Sequence, residues 1–365
     1  MKHRALTTAA VCGLLVSGAW AQPAYQVHPL ATPHIPGVDV NATWWQTVGA
    51  TAAGEVVMNV QWSQGTALQS RAVRTSAISA AVLPGERDGN TVARALRDDG
   101  YVFGLDLSSS QFWPRQETAW RDGQRVLTDT LTGVVGLEVW GGAGDRLFGT
   151  VSSDAVVLQN GTVTPVRSSF STGGSGPYLT AISANGYAAG VDFVAGDSRA
   201  SVWENGVQRL LPMPADFAGS FLQDVFIGAI NSNGVAVGTL AYSTNAGLAG
   251  GTFLWHAAGF TMISDVYHGN QRATISDAGH VVTRDLDGTL LWIDGVTYRP
   301  HDLATPGFAG TITSIDRIEL DGRIIGQAIV DGERVPVIMT TIPAPGVLAM
   351  AIASAWCSSR RRRRK

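Results

Sequence analysis

The chain has 365 residues, of which 45% are hydrophobic and 15% charged, against a norm of about a quarter charged, so it is a folding chain and not a disordered one. Its 43 glycines stand beside only 15 prolines, an excess over the usual share of about 7% glycine that points to many tight turns and not to linkers. The two cysteines, Cys12 and Cys357, lie near the two ends, which excludes a disulfide framework and a Cys-rich zinc or iron–sulfur site.

At the N-terminus Lys2 and Arg4 precede an apolar stretch over about 9–20 that closes on Ala19-Trp20-Ala21. This is the pattern of a secretory signal peptide, with Ala19 and Ala21 as the small residues of a cleavage site after Ala21. Cys12 sits inside the apolar stretch and not at its end, which argues against lipidation. Residues 22–43 then form a lead-in.

From about Trp44 to Thr341 one short motif recurs. The plainest copies are Ala181-Ile-Ser-Ala-Asn-Gly-Tyr-Ala-Ala-Gly190 and Ala229-Ile-Asn-Ser-Asn-Gly-Val-Ala-Val-Gly238, and the first glycines of all copies fall at 54, 100, 144, 186, 234, 279 and 322. The period is about 45 residues and gives seven units. A second signal, an apolar pair ending in Trp and followed by a Gly turn, appears at Trp62, Trp120, Trp203, Trp255 and Trp292; Leu158 replaces the Trp in one unit, and the last unit keeps only Asp331-Gly332. A ring recurring at one repeat position argues for a packing role.

The dipeptides Asn-Gly and Asp-Gly occur at 99–100, 122–123, 160–161, 185–186, 205–206, 233–234, 294–295, 321–322 and 331–332. They predict type I′ hairpin turns, whose two central residues both need φ > 0. The flanking runs are short and rich in β-branched or aromatic residues, so each unit is read as about four strands. One such unit cannot bury both faces, and radial stacking of four-stranded units makes a β-propeller, with the Trp filling the space between blades. The expected fold is all-β, a propeller over 44–341 with seven four-stranded blades; six or eight blades are the neighbouring counts, and an open β-solenoid is the competing architecture. Closure is expected from the strand around 38–48, including Trp44 and Trp45, pairing with the last unit.

The pattern Ala-Ile-Asn-x-x-Gly-x-Val-x-Gly followed by a Phe-Leu-Trp-type strand is similar to the HAF repeats of bacterial extracellular proteins. Units at 181–206 and 229–259 match it well, and those at 96–123 and 274–295 match in part. The resemblance implies an extracellular location and this architecture, and it carries no catalytic residues.

The C-terminal residues 342–365 read IPAPGVLAMAIASAWCSSRRRRRK, an apolar stretch and then a polybasic end, as in a stop-transfer segment. From Ile342 to Ser359 it spans about 18 residues, the lower limit for a membrane helix. Pro343, Ala344 and Pro345, the short hydrophobic helix and the cluster Arg360, Arg361, Arg362, Arg363 and Arg364 resemble the PEP-CTERM sorting signal, with Ala344 where that family usually carries Glu. The resemblance implies processing by an exosortase-like membrane protease and delivery toward the cell surface or an extracellular matrix. A plain membrane anchor with a basic stop is the other reading of the same residues.

Signal and tail hold eight of the 26 Lys and Arg and none of the 29 Asp and Glu. The remainder carries 18 against 29, a balance of −11 that the overall −3 conceals. An acidic surface repels nucleic-acid phosphates and anionic membranes.

Candidate chemistry is sparse. The sequence has no Gly-x-Ser-x-Gly, His-Glu-x-x-His or phosphate-loop motif, and Gly141-Gly142-Ala143-Gly144 reads as a loop between strands. His28, His34, His256, His268, His280 and His301 show no local metal-binding spacing. Asp285-Leu-Asp287-Gly288 begins like a calcium loop without its distal Glu and reads as a hairpin turn, as do Asp98, Asp99, Asp192, Asp197 and Asp294. No catalytic, cofactor-binding or metal-ligating residue is assigned, and calcium at acidic turns is the one cofactor left open.

These readings point to an exported, surface- or matrix-sorted, non-enzymatic propeller that acts as a binding or structural module. Its expected partners are an exosortase-like membrane protease, an extracellular polysaccharide or a surface protein, and transiently the inner membrane through the C-terminal helix. The alternative is an extracellular enzyme acting on polysaccharide, hydrolase or lyase, with carboxylates in the central channel.

Overall fold

Short β-branched and aromatic runs separated by glycine turns fold here into seven four-stranded antiparallel sheets set in a ring, a seven-bladed β-propeller. The structure is a computed structural model that describes residues 23–342 apart from 86–88, 108–115, 171–175, 195–196, 218–222, 245–246, 258, 267–272 and 304. The signal segment, both cysteines and 343–365 lie outside the described residues. In blades 1 to 6 the four strands follow chain order from the axis outward. Their inner strands are Trp44–Ala50, Asn90–Leu96, Leu137–Ala143, Tyr178–Ile182, Gln223–Ile230 and Thr274–Ile275.

Blade 7 is built from both ends of the chain. Thr311–Ile318, Ile324–Val330 and Glu333–Thr341 supply its inner three strands, and Tyr25–Pro29 pairs with the last of these as the outer strand. The register runs from Tyr25 opposite Thr341 to Pro29 opposite Val337. Closure therefore does not use the stretch around 38–48; Trp44 and Trp45 open the innermost strand of blade 1. The reason is visible in the last repeat, where Asp331-Gly332 joins the second and third strands and no further hairpin follows among the described residues. The free edge of Glu333–Thr341 would be an unpaired row of backbone groups, and the N-terminal strand covers it. Tyr25, 1% exposed, anchors that strand in the core beside Val337 and Met339.

The Asn-Gly and Asp-Gly dipeptides divide into two kinds of turn. Asp122, Asn160, Asn205, Asp294 and Asp331 have positive φ together with the glycines that follow them, as a type I′ turn requires. At 99–100, 185–186, 233–234 and 321–322 only the glycine does. These four belong to longer turns after the inner strands, in which the glycine amide bonds the carbonyl three residues back, as from Gly186 to Ser183 at 3.1 Å and from Gly234 to Asn231 at 3.1 Å. The glycine four residues later has a different cause. The inner strand bulges between Leu179 and Ala181 and between Ile227 and Ala229, which pushes a carbonyl into the space a β-carbon would need at Gly190 or Gly238.

Trp120, Trp203, Trp255 and Trp292 all lie on third strands. Trp62 does not share the position; it lies on the second strand of blade 1, Val56–Gln64, and the corresponding register there, opposite Val56, holds Thr75. Each third-strand Trp packs on the preceding blade: Trp203 on Phe148 and Ala155, Trp255 on Ala189 and Val202. Three also donate the indole N–H to the segment linking the two blades, Trp120 to the Pro84 carbonyl at 2.8 Å, Trp203 to Arg167 at 3.0 Å and Trp255 to Pro212 at 3.0 Å. The Thr75 hydroxyl makes the same bond to Ala31 at 2.6 Å. The recurrent ring thus satisfies its one polar atom while burying its faces.

Candidate functional site

The sequence-marked residues Ala19, Ala21, Pro343, Ala344, Pro345 and Arg360 to Arg364 lie outside the described residues, as does His268. The other histidines are dispersed, and among the described residues no three His, Cys, Asp or Glu side chains form a group that could hold a metal. His28, His34, His256 and His301 are exposed, and burial lowers the proton affinity of the half-buried His280. Among the described residues no helix is long and apolar enough to cross a membrane.

Two acidic readings change. Asp192 is not a turn residue; it is fully buried on the second strand of blade 4 and accepts from Ser168 Oγ at 2.6 Å and Gln208 Nε2 at 2.7 Å. Asp106 in blade 2 and Asp285 in blade 6 occupy the same strand position. Asp106 pairs with Arg125 Nε at 2.9 Å, and Asp285 accepts both Nη atoms of Arg299 at 2.7 and 2.5 Å. The would-be start of a calcium loop is a carboxylate clamped by an arginine, followed by a hairpin turn. Gly141-Gly142-Ala143 is not a loop either but part of an inner strand, and a β-carbon at Gly141 would stand 2.5 Å from the Phe148 ring.

The inner strands all begin at one mouth of the central channel and end in their turns at the other. The turn mouth is closed on itself by hydrogen bonds from blade to blade. Arg74 donates to the Gly100 carbonyl at 3.2 Å, the Asp98 amide to Gly144 at 2.9 Å and Arg146 to Ala184. Asn185 donates to Ser232 at 3.1 Å and Asn231 to Ser276 at 3.1 Å. The Asp277 amide to Leu320 at 2.8 Å and Arg323 to the Thr51 carbonyl at 2.8 Å complete the circle. The most repeated motif of the sequence therefore builds a rim, and the polar side chains of that rim are occupied in holding it.

The channel behind it has a volume of about 810 Å³, within the usual range of about 300–1,000 Å³ for small-ligand sites. The bulges of six inner strands fall at the channel, where five of them place Val48, Arg94, Trp140, Thr180 and Asp316 and the sixth places Gly228. The wall is two-sided. Blades 3 to 5 contribute Trp140, Phe148, Tyr178 and Phe226 and no charged lining residue, blade 1 contributes Trp45, and blades 2, 6 and 7 contribute Arg94, Asp98, Asp277, Arg284, Asp316, Arg317, Glu319, Asp321 and Arg323.

Most of these charges are engaged. Arg94 donates to Glu117 at 3.2 Å and to the Val139 carbonyl at 3.0 Å, and lies 5.1 Å from the Trp140 ring centroid, whose other neighbour is the edge-on Tyr178 at 5.7 Å. Arg317 pairs with Glu319 at 2.9 Å. Asp316 accepts from Ser314 Oγ at 2.8 Å and Gln327 Nε2 at 2.6 Å. Gln327 in turn accepts from Arg334 Nε at 2.6 Å, and that guanidinium lies 4.8 Å from the Trp45 ring centroid. Burial raises the proton affinity of Asp316 against the opposing pull of these hydrogen bonds. No sequence signal marked this cluster, because its members come from repeat positions that are individually unremarkable.

No protein-family model matches the chain, and no curated protein matches it significantly. Solved structures resemble it in fold. The extracellular domain of a one-component system from B. thetaiotaomicron aligns at 10% identity and a TM-score of 0.48, over 87% of this chain and 40% of that one. The β-propeller domain of the Trilobed protease from Pyrococcus furiosus aligns at 8% identity and 0.47, over 82% and 98%. An acylaminoacyl peptidase from Pyrococcus horikoshii aligns at 9% identity and 0.45, over 84% and 54%. The chain thus spans about half the length or less of the first and third, and similarity at this level concerns the propeller alone.

Proposed function

We propose that this protein is exported, is sorted to the cell surface or matrix through its C-terminal segment, and works there as a non-catalytic module that binds a ligand in the central channel. The observation that carries the binding reading is the two-sided channel, with an uncharged aromatic wall facing a wall whose ionisable groups mostly neutralise one another. Side chains already paired are poor proton shuttles, and aromatic faces beside fixed polar groups are the usual furniture of a binding site. The signal peptide and the tripartite tail support export, and an exosortase-like protease is the matching processing partner.

Affinity electrophoresis through a panel of extracellular polysaccharides tests the binding. Retardation by at least one polymer, weakened about tenfold in Trp140→Ala or Tyr178→Ala, is expected; retardation unchanged in both variants removes the channel from the account. Truncation after Thr341 is expected to release the protein into the medium, and unchanged surface retention would count against the tail as an address.

One observation favours the enzymatic alternative. Asp316 is a channel carboxyl with raised proton affinity, a property shared with general acids. Release of new reducing ends from a polysaccharide, abolished by Asp316→Asn, would establish that reading in place of the first.

A further inference from the structure

Among the described residues the channel holds one arginine, Arg284, that makes no direct ion pair. Arg94, Arg317 and Arg323 each pair with a carboxylate, respectively Glu117, Glu319 and Asp321. Arg284, on the second strand of blade 6, is exposed and lines the channel, and its side chain makes no hydrogen bond or ion pair among the described residues. It reaches the channel where the described inner strand of that blade is only Thr274–Ile275, and Val282, Thr283 and Thr289 line the channel beside it.

The nearby carboxylates are already committed. Its chain neighbour Asp285 is held by both Nη atoms of Arg299, and Asp321 accepts Arg323 Nε at 2.6 Å. Asp316, whose charge Arg284 feels, is taken up by Ser314 and Gln327 and faced from behind by Arg334. An arginine fork that makes no direct ion pair among the described residues, its charge offset only at longer range by the already hydrogen-bonded Asp316, is matched by a planar carboxylate from outside.

Resting on the channel-binding reading above, we infer that Arg284 is the specificity residue of this site and that the ligand is an acidic glycan. Its uronate carboxylate pairs with Arg284, and the apolar face of its sugar ring lies on the aromatic wall of Trp140 and Tyr178. A single unpaired guanidinium suits one carboxylate per ring; a polyphosphate would need several free cations, and the other channel arginines are spent. The acidic exterior does not forbid this ligand, because at physiological salt its field is screened beyond about 8 Å while the contact inside the channel is not.

The test is calorimetric titration of the full chain with trigalacturonic acid and with its uncharged galactose counterpart. Wild-type protein is expected to prefer the acidic trisaccharide by about tenfold or more. Arg284→Ala should erase that preference, and Arg284→Lys should keep part of it, since an ammonium retains charge without the fork. Arg284 is exposed, so both variants should keep the wild-type melting temperature, which is measured alongside; if the alanine variant does not fold, the lysine variant decides. Equal affinity for the two sugars, a preference that survives Arg284→Ala, or no binding of the acidic sugar each overturns the inference. Binding of the neutral sugar without acidic preference would leave the channel reading standing while this one falls. Arg284-dependent capture of a peptide with a free C-terminal carboxylate, without capture of trigalacturonic acid, also overturns it.

Discussion

The α-carbon of Gly238 faces the Phe226 carbonyl oxygen so closely that a β-carbon would overlap it, because the inner strand of blade 5 bulges between Ile227 and Ala229. The same relation holds between Gly190 and Tyr178. Gly238→Ala should therefore cost about 3 kcal/mol or more, since backbone has to move. Gly123→Ala, which meets only open space and a positive φ, should cost about 1–2 kcal/mol. Urea unfolding of the two variants checks the order, and equal costs would remove the bulge as the reason for the second glycine.

Trp203 fastens blade 4 to the segment that leads into it. Trp203→Phe keeps much of the buried ring but strands the Arg167 carbonyl, a loss of about 1–3 kcal/mol. Trp203→Ala also opens a cavity and should cost about 3–5 kcal/mol. Chemical denaturation of both resolves the hydrogen bond from the packing.

Closure through the N-terminal strand makes stability depend on Tyr25. Burial, with Tyr298 adding to it, pushes the Tyr25 phenol up to about 12, against about 10 in an unfolded chain. The folded-state value is the higher, so the associated stability is complete below pH 10 and is lost as pH rises through about 12. Tyr25→Phe should remove this alkaline component from the melting profile. Removal of residues up to Pro29 should lower the melting temperature at every pH, because it reopens the edge of blade 7.

Asp316 gives a second pH signature of the same sign and in another range. Its folded-state proton affinity is raised by burial, against the opposing pull of Gln327, Ser314, Arg334 and Arg284. The stability linked to the neutral carboxyl is complete below about pH 4 and falls as pH rises through the raised value. Asp316→Asn should flatten the melting temperature above about pH 4 and raise it where the wild-type carboxyl has ionised. A variant profile parallel to wild type would show that the carboxyl is ionised without penalty.

The Asp285–Arg299 pair gives the acidic turn of blade 6 a cation from within the chain. Added calcium should leave the melting temperature unchanged, since a ligand that does not bind the folded state cannot stabilise it. Arg299→Ala, which leaves a partly buried carboxylate unpaired, should cost about 1–3 kcal/mol. A calcium-dependent rise in melting temperature would show that the arginine does not preclude a cation there.

The repeat of about 45 residues, the glycines at 54 to 322 and the recurrent tryptophans were enough by themselves to favour a propeller of seven blades with aromatic fillers, and the closed ring decided the count against six or eight and against a solenoid. Those signals are local, because each turn and each packing position repeats the same demand on residue type. Closure by Tyr25–Pro29 was not legible: its pairing with Glu333–Thr341 spans the chain and is made by backbone groups that every residue carries. The burial of Asp192 and the partners of Asp285 were likewise hidden, since a strand carboxylate and a turn carboxylate read alike until the facing strand is known. The channel was decided wholly by the tertiary structure. Its wall takes side chains from seven repeats set about 45 residues apart, and only the closed ring shows that Trp140 and Tyr178 share one side, and that Arg284 makes no direct ion pair among the described residues while Asp285 beside it is held by Arg299.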